Sequence, residues 1–95
     1  SKTHYQTAAR VYGLPTGGSK ADLKKRVDAY EGMVAEAKDL KAEEWIDEIE
    51  KVEDANALAD LRALYGHSGA DYVTVGEAFD AKQAEFDAPD ENDES

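Results

Sequence analysis

The sequence contains no cysteine. Disulfide cross-linking is therefore excluded. A small secreted domain usually leans on disulfides, so an intracellular or particle-enclosed location is expected. No apolar run approaches the ~20 residues that span a bilayer. The first residues carry no apolar signal core, so no membrane partner and no export by signal peptide are expected. Two prolines and seven glycines are all that punctuate 95 residues. No segment alternates apolar and polar residues for long enough to build a sheet, and there is no internal repeat. What remains is 23 large apolar side chains and 16 alanines, a mixture suited to thin, closely packed helices. A chain of this length forms one domain or two very small ones, with a modest core.

Positive charge is also scarce, and unevenly so. Residues 1–30 hold six basic and two acidic side chains, a balance of +4. Residues 31–95 hold five basic and twenty acidic side chains, a balance of −15, which brings the whole chain to −11. Such a split points to a basic face for a polyanion and an acidic remainder. Taken alone, the acidic part also reads as helices kept soluble by charge.

The helical signals come in order. Tyr5, Ala8, Ala9 and Tyr12 recur at helical spacing over residues 4–12, and Gly13 stops them. Residues 14–18 read as an extended connector, because Pro15 holds Leu14 away from helical angles and two glycines follow. Ser19 is the expected N-cap of the next helix, with Asp22 at its third position. That helix carries Leu23, Val27, Tyr30 and Val34 within roughly 60° of arc. It ends near Glu31 with Gly32 as its cap, or continues to about Ala37. Trp45, Ile46, Ile49 and Val52 mark a third helix. Leu58, Leu61 and Leu64 mark a fourth, capped by Asp54 and ended by Gly66, with residues 67–71 as a loop and Tyr72 and Val73 extended. Thr74 and Glu77 fit a capping box that opens a fifth helix, with Val75, Ala78, Phe79 and Phe86 inward. Pro89 ends it, and residues 90–95 read as a disordered acidic tail. The expected fold class is all-α, a small helical bundle. Residues 1–38 form a helix-extension-helix module, 39–88 an acidic module of about three short helices, and 89–95 the tail.

The stretch Gly13-Leu14-Pro15-Thr16-Gly17-Gly18-Ser19-Lys20, followed by Leu23 and Arg26, carries the most information. It resembles the SAP family and the related LEM and Rho N-terminal helix-extension-helix modules. Their pattern is a helix, then Gly-Leu-Pro-x-x-Gly, then a short step to Lys, then Leu and Arg on a second helix. The resemblance covers about residues 4–31. The sequence departs from the pattern at Tyr5 and Ala9, where leucine is usual. The resemblance implies DNA binding in this region. LEM-type relatives use the same scaffold to bind proteins, so the ligand stays open.

The residues add a physical argument. Lys20 and Lys24 flank one edge of the apolar stripe, Arg26 flanks the other, and Lys25 points away from it. A helix start at Gly18 and Ser19 offers free N–H groups and a positive dipole end beside Lys20. The candidate DNA-binding residues are therefore Gly17, Gly18, Ser19, Lys20 and Lys24, together with Arg10, which falls where the resembled pattern is often basic. Contacts of this kind hold backbone phosphates without reading sequence. A Lys-Lys-Arg run on an amphipathic helix is otherwise an ordinary solvated face.

Other signals point to nothing specific. His4 and His67 have no ligand partner at metal spacing. Residues 87–94 are acidic but lack the order of a calcium loop. Residues 17–20 lack the frame of a phosphate loop. No nucleophile and base are paired, so no catalytic residues, cofactor or metal are expected, and an enzyme is the least expected class. Trp45 reads as core, or as a partner's anchor. Lys82 falls in an apolar stripe, where it snorkels or pairs with an acid.

Three functions compete. The first is a non-enzymatic DNA-binding accessory protein that touches duplex backbone phosphates weakly and without sequence preference. The second is a bacteriophage structural or assembly protein, an oligomer or particle subunit using its helices for protein–protein contacts. The third is an acidic regulator that mimics nucleic acid. Acidic side chains from residues 43–60 lying over Lys20, Lys24 and Arg10 would favour an interaction role. Free cations would favour DNA.

Overall fold

A computed structural model describes residues 1–88 and shows five helices and, among the described residues, no strand. The protein is a small all-α bundle: α1 Lys2–Tyr12, α2 Lys20–Ala37, α3 Ala42–Glu50, α4 Ala55–Ser68 and α5 Val73–Asp87. The expected acidic tail lies outside the described residues. None of these helices is long and apolar enough to cross a membrane.

The first two helices and their connector owe their shape to three local devices. Gly13 closes α1 at φ 74°. Its N–H donates to the Arg10 carbonyl at 3.1 Å, and Leu14 N–H donates to Ala9 at 2.8 Å. This is a Schellman closure, and it turns Leu14 back onto Ala9 in the core. Ser19 and Asp22 then form the expected capping box at the start of α2. Between them, Arg26 donates to the carbonyls of Pro15 (2.6 Å) and Gly17 (3.0 Å), pinning the connector to the helix that follows it.

α1 and α2 run parallel. Ala9 packs on Leu23 and Val27, while Tyr12 at the end of α1 donates to Glu31 further along α2 at 3.1 Å. An alanine at the crossing lets the two helices approach closely, so Ala9 is fully buried where a leucine would hold them apart.

α2 does not stop at Gly32. It continues to Ala37, because Val34 and Ala37 still have apolar surface to bury. Ala37 belongs to a second cluster with Trp45, Ile49, Leu58, Val75 and Phe79. One helix therefore serves both cores. Tyr12, Tyr30 and His67 bridge them, with Tyr12 and Tyr30 ring centroids 4.8 Å apart and His67 edge-on to both at 5.2 and 5.9 Å. The molecule is elongated. Its radius of gyration is 16.2 Å, against about 12 Å for a compact domain of this length.

Three boundaries differ from the sequence reading. α1 begins at Lys2, two residues earlier than expected, with Ser1 as its cap. α4 runs through Gly66 and His67 and ends only at Gly69, whose φ of 78° provides the left-handed closure. Residues 67 and 68 are thus helical, not loop, and Ser68 is buried. α5 begins at Val73 with Tyr72 as its cap, so Thr74 and Glu77 do not form a capping box. The hydroxyl of Tyr65 does that work from a distance. It accepts from Tyr72 N–H at 2.6 Å and donates to the Tyr72 carbonyl at 3.3 Å. Asp54 caps α4 as expected, accepting from Ala57 N–H at 2.7 Å.

Trp45 is a core residue, fully buried and edge-to-face on Tyr65 with ring centroids 5.0 Å apart. Lys82 snorkels: its ammonium lies 5.7 Å from the Phe86 ring and donates to the Glu50 carbonyl at 3.4 Å, capping the end of α3.

Candidate nucleic-acid interface

The cationic candidates are carried by the last turn of α1 and the first two turns of α2. Arg10 is exposed near the C-terminal end of α1, where a cation also complements the helix dipole. Lys20 is the first residue of α2 and exposed. Among the described residues, neither has an ion-pair partner within 4.0 Å. Lys24 is paired with Asp28 one turn on, at 2.8 Å. That bond raises its pKa above the ordinary value, with a smaller contribution from the nearby Tyr5 hydroxyl. Both side chains of the pair are more than half open to solvent or nearly so, and exposed pairs of this kind are weak. Lys24 is therefore released at little cost when a phosphate competes for it.

Residues 17–19 behave differently from one another. Gly17 is exposed, and its carbonyl is taken by Arg26. Gly18 sits at φ 103°, a conformation that glycine accepts and side chains rarely adopt. A Cβ there would also meet the Asp22 side chain at 3.4 Å. Ser19 caps the helix: its hydroxyl accepts from Asp22 N–H at 3.2 Å and its N–H donates to the Asp22 carboxylate at 3.4 Å. The α2 start thus already holds an anion, the carboxylate of Asp22. The Ser19 N–H and the positive end of the helix face this internal carboxylate, with the exposed ammonium and guanidinium groups around it.

Residues 43–60 carry eight acidic side chains and one basic one. Among the described residues, none of them pairs with Arg10, Lys20 or Lys24. Lys51 is held by Asp47 (3.1 Å) and Glu48 (3.5 Å), and Arg62 pairs with Asp80 across α4 and α5 at 3.0 Å. The molecule is therefore polar end to end in its charge.

Sequence reasoning missed two residues at this end. Arg26 was read as flanking the apolar stripe, yet it organises the connector. Asp22 was read as a cap, but its effect on the anion site was not drawn from that. The signal for the second was present in the Ser19-x-x-Asp22 spacing. The first had no local signal, because its partners lie nine and eleven residues back. Among the described residues, no group of three or more His, Cys, Asp or Glu side chains is placed to hold a metal. No protein-family model, curated protein or solved structure matches the chain.

Proposed function

We propose that the chain is a DNA-associated accessory protein whose SAP-like helix-extension-helix end touches duplex backbone phosphates weakly and without sequence preference. The observation that carries this reading is the lack of any ion pair, among the described residues, between the cations of that end and the acids of residues 43–60. Arg10, Lys20 and Lys24 bear the contact. Gly17 and Gly18 shape the connector beside them, and Ser19, which caps the helix start, has its hydroxyl hydrogen left to donate to a phosphate. With so few cations, affinity is on the order of micromolar or weaker at physiological salt, and it falls with salt by a log–log slope of only a few units.

A fluorescent duplex of arbitrary sequence, titrated at two salt concentrations, tests the reading. Binding that weakens with salt and is equal on unrelated duplexes supports it. No binding even at low salt removes it. A structural or assembly role, as in a bacteriophage particle, then takes its place.

A further inference from the structure

An open groove of about 710 Å³ separates the helix-extension-helix end from the acidic helices. Its floor is apolar and comes from both sides: Leu14 from the connector, Met33 from α2, and Val52, Leu61 and Leu64 from α3's exit and α4. Met33 is 51% exposed, the large apolar side chain on α2 that the protein's own packing leaves uncovered. The rim is acidic. Glu48, Glu53, Asp54 and Asp60 line it, and Lys51 is the single cation there, already engaged by Asp47 and Glu48. Asp60 lies close enough to Tyr30 to raise the pKa of that phenol, after burial, which is the larger cause.

We propose that this groove receives a basic amphipathic helix of a partner protein. The apolar floor fits a row of side chains at i, i+3, i+4 and i+7, and the acidic rim fits lysines and arginines flanking that row. Charge complementarity selects the occupant. Nucleic acid is repelled by four carboxylates. A second copy of this chain offers no suitable helix: α3, α4 and α5 are acidic or neutral, and the apolar stripes of α1 and α2 are spent on their own core. None of Arg10, Gly17, Gly18, Ser19, Lys20 and Lys24 lines the groove, so the proposal stands whether or not those residues bind DNA.

The test uses the full 95-residue chain and a synthetic peptide of about fourteen residues, with leucines at the four anchor positions and lysines elsewhere. Two control peptides replace lysine by glutamate or shuffle the same composition to destroy the apolar face. Amide chemical shifts in a nitrogen-15 spectrum report where the peptide binds. Saturable shifts at Leu14, Met33, Ala57, Asp60 and Leu61 with the amphipathic peptide alone are the expected result. Met33→Glu and the pair Glu53→Lys/Asp60→Lys should each weaken binding by roughly tenfold or more without changing helicity, since all three side chains are exposed. Shifts centred on Glu43, Glu44 and Asp47 of α3 would overturn the proposal, as would equal binding of the shuffled peptide, indifference to Met33→Glu, or no binding of the amphipathic peptide.

Discussion

Arg26 reaches back eleven residues to donate a hydrogen bond to the carbonyl of Pro15 at 2.6 Å, and the same nitrogen donates to Gly17 at 3.0 Å. Proline offers no N–H, so its carbonyl is the one backbone group through which the connector can be tied at that point. The guanidinium thus sets the path by which the chain leaves α1 and enters α2. Replacing Arg26 by methionine keeps the stem and removes the donors. Urea unfolding should show a loss of about 1–2 kcal/mol, and lysine, with a single point charge in place of the fork, should recover only part of it.

Glycines at two positions should respond with opposite sign. Gly13 holds φ at 74°, so Gly13→Ala should destabilise by about 1 kcal/mol. Gly32 lies inside α2 with open space where a Cβ would go, so Gly32→Ala should stabilise by about 0.5–1 kcal/mol. Thermal melts of both variants in one buffer check the pair.

The cationic end makes its own prediction. Lys20→Glu with Lys24→Glu should abolish duplex binding while the far-ultraviolet dichroism stays unchanged, because neither side chain faces the Leu23 and Val27 stripe. Asp22→Asn should act the other way. It keeps an oxygen for the cap and removes the negative charge from the start of α2, so duplex affinity at low salt should rise a few-fold. An unchanged affinity in Asp22→Asn would mean that phosphate sits away from the helix start.

Removing the Tyr65 hydroxyl tests how α5 is held. Tyr65→Phe keeps the ring against Trp45 and Phe79 but takes the acceptor from Tyr72 N–H, while the Tyr72 carbonyl keeps the N–H groups of Val75 and Gly76. A loss of about 1 kcal/mol is expected, with amide exchange speeding first at the start of α5.

Alkaline pH should loosen the bridge between the two cores. Burial raises the pKa of Tyr12 above its ordinary 10.0, and the bond to Glu31 adds to this. Tyr30 is raised by burial and then by Asp60. Both phenols hold their protons longer in the folded chain than in the unfolded one. Their stabilisation is complete below about pH 10 and is lost as pH climbs through their folded values. Melting temperature measured from pH 8 to 11.5 should fall more steeply in the parent than in a Tyr12→Phe/Tyr30→Phe variant.

The helical class and the N-terminal module were legible because their determinants are local. Gly13, Pro15, Ser19 and Asp22 each act within four residues of themselves. The start of α5 was not legible, since a tyrosine seven residues away replaces the side-chain cap that Thr74 and Glu77 seemed to offer. The end of α4 was misread because Gly66 and Gly69 both satisfy a C-terminal pattern, and burial of Ser68 decides between them. The uneven charge was legible from composition, and the groove was not. Its floor joins Leu14 and Met33 to Leu61 and Leu64, residues that only tertiary packing brings together.

A single helix serving two small cores removes any seam at which the chain would divide into separately stable halves. The smaller cluster takes Leu23 and Val27 from α2 and the larger takes Ala37, so each completes itself on a different stretch of that helix. Loss of either end therefore strips cover from the beam that supports the other. Melting should be one cooperative event, with the slowest-exchanging amides between Val27 and Ala37, in the stretch of α2 that joins the two ends.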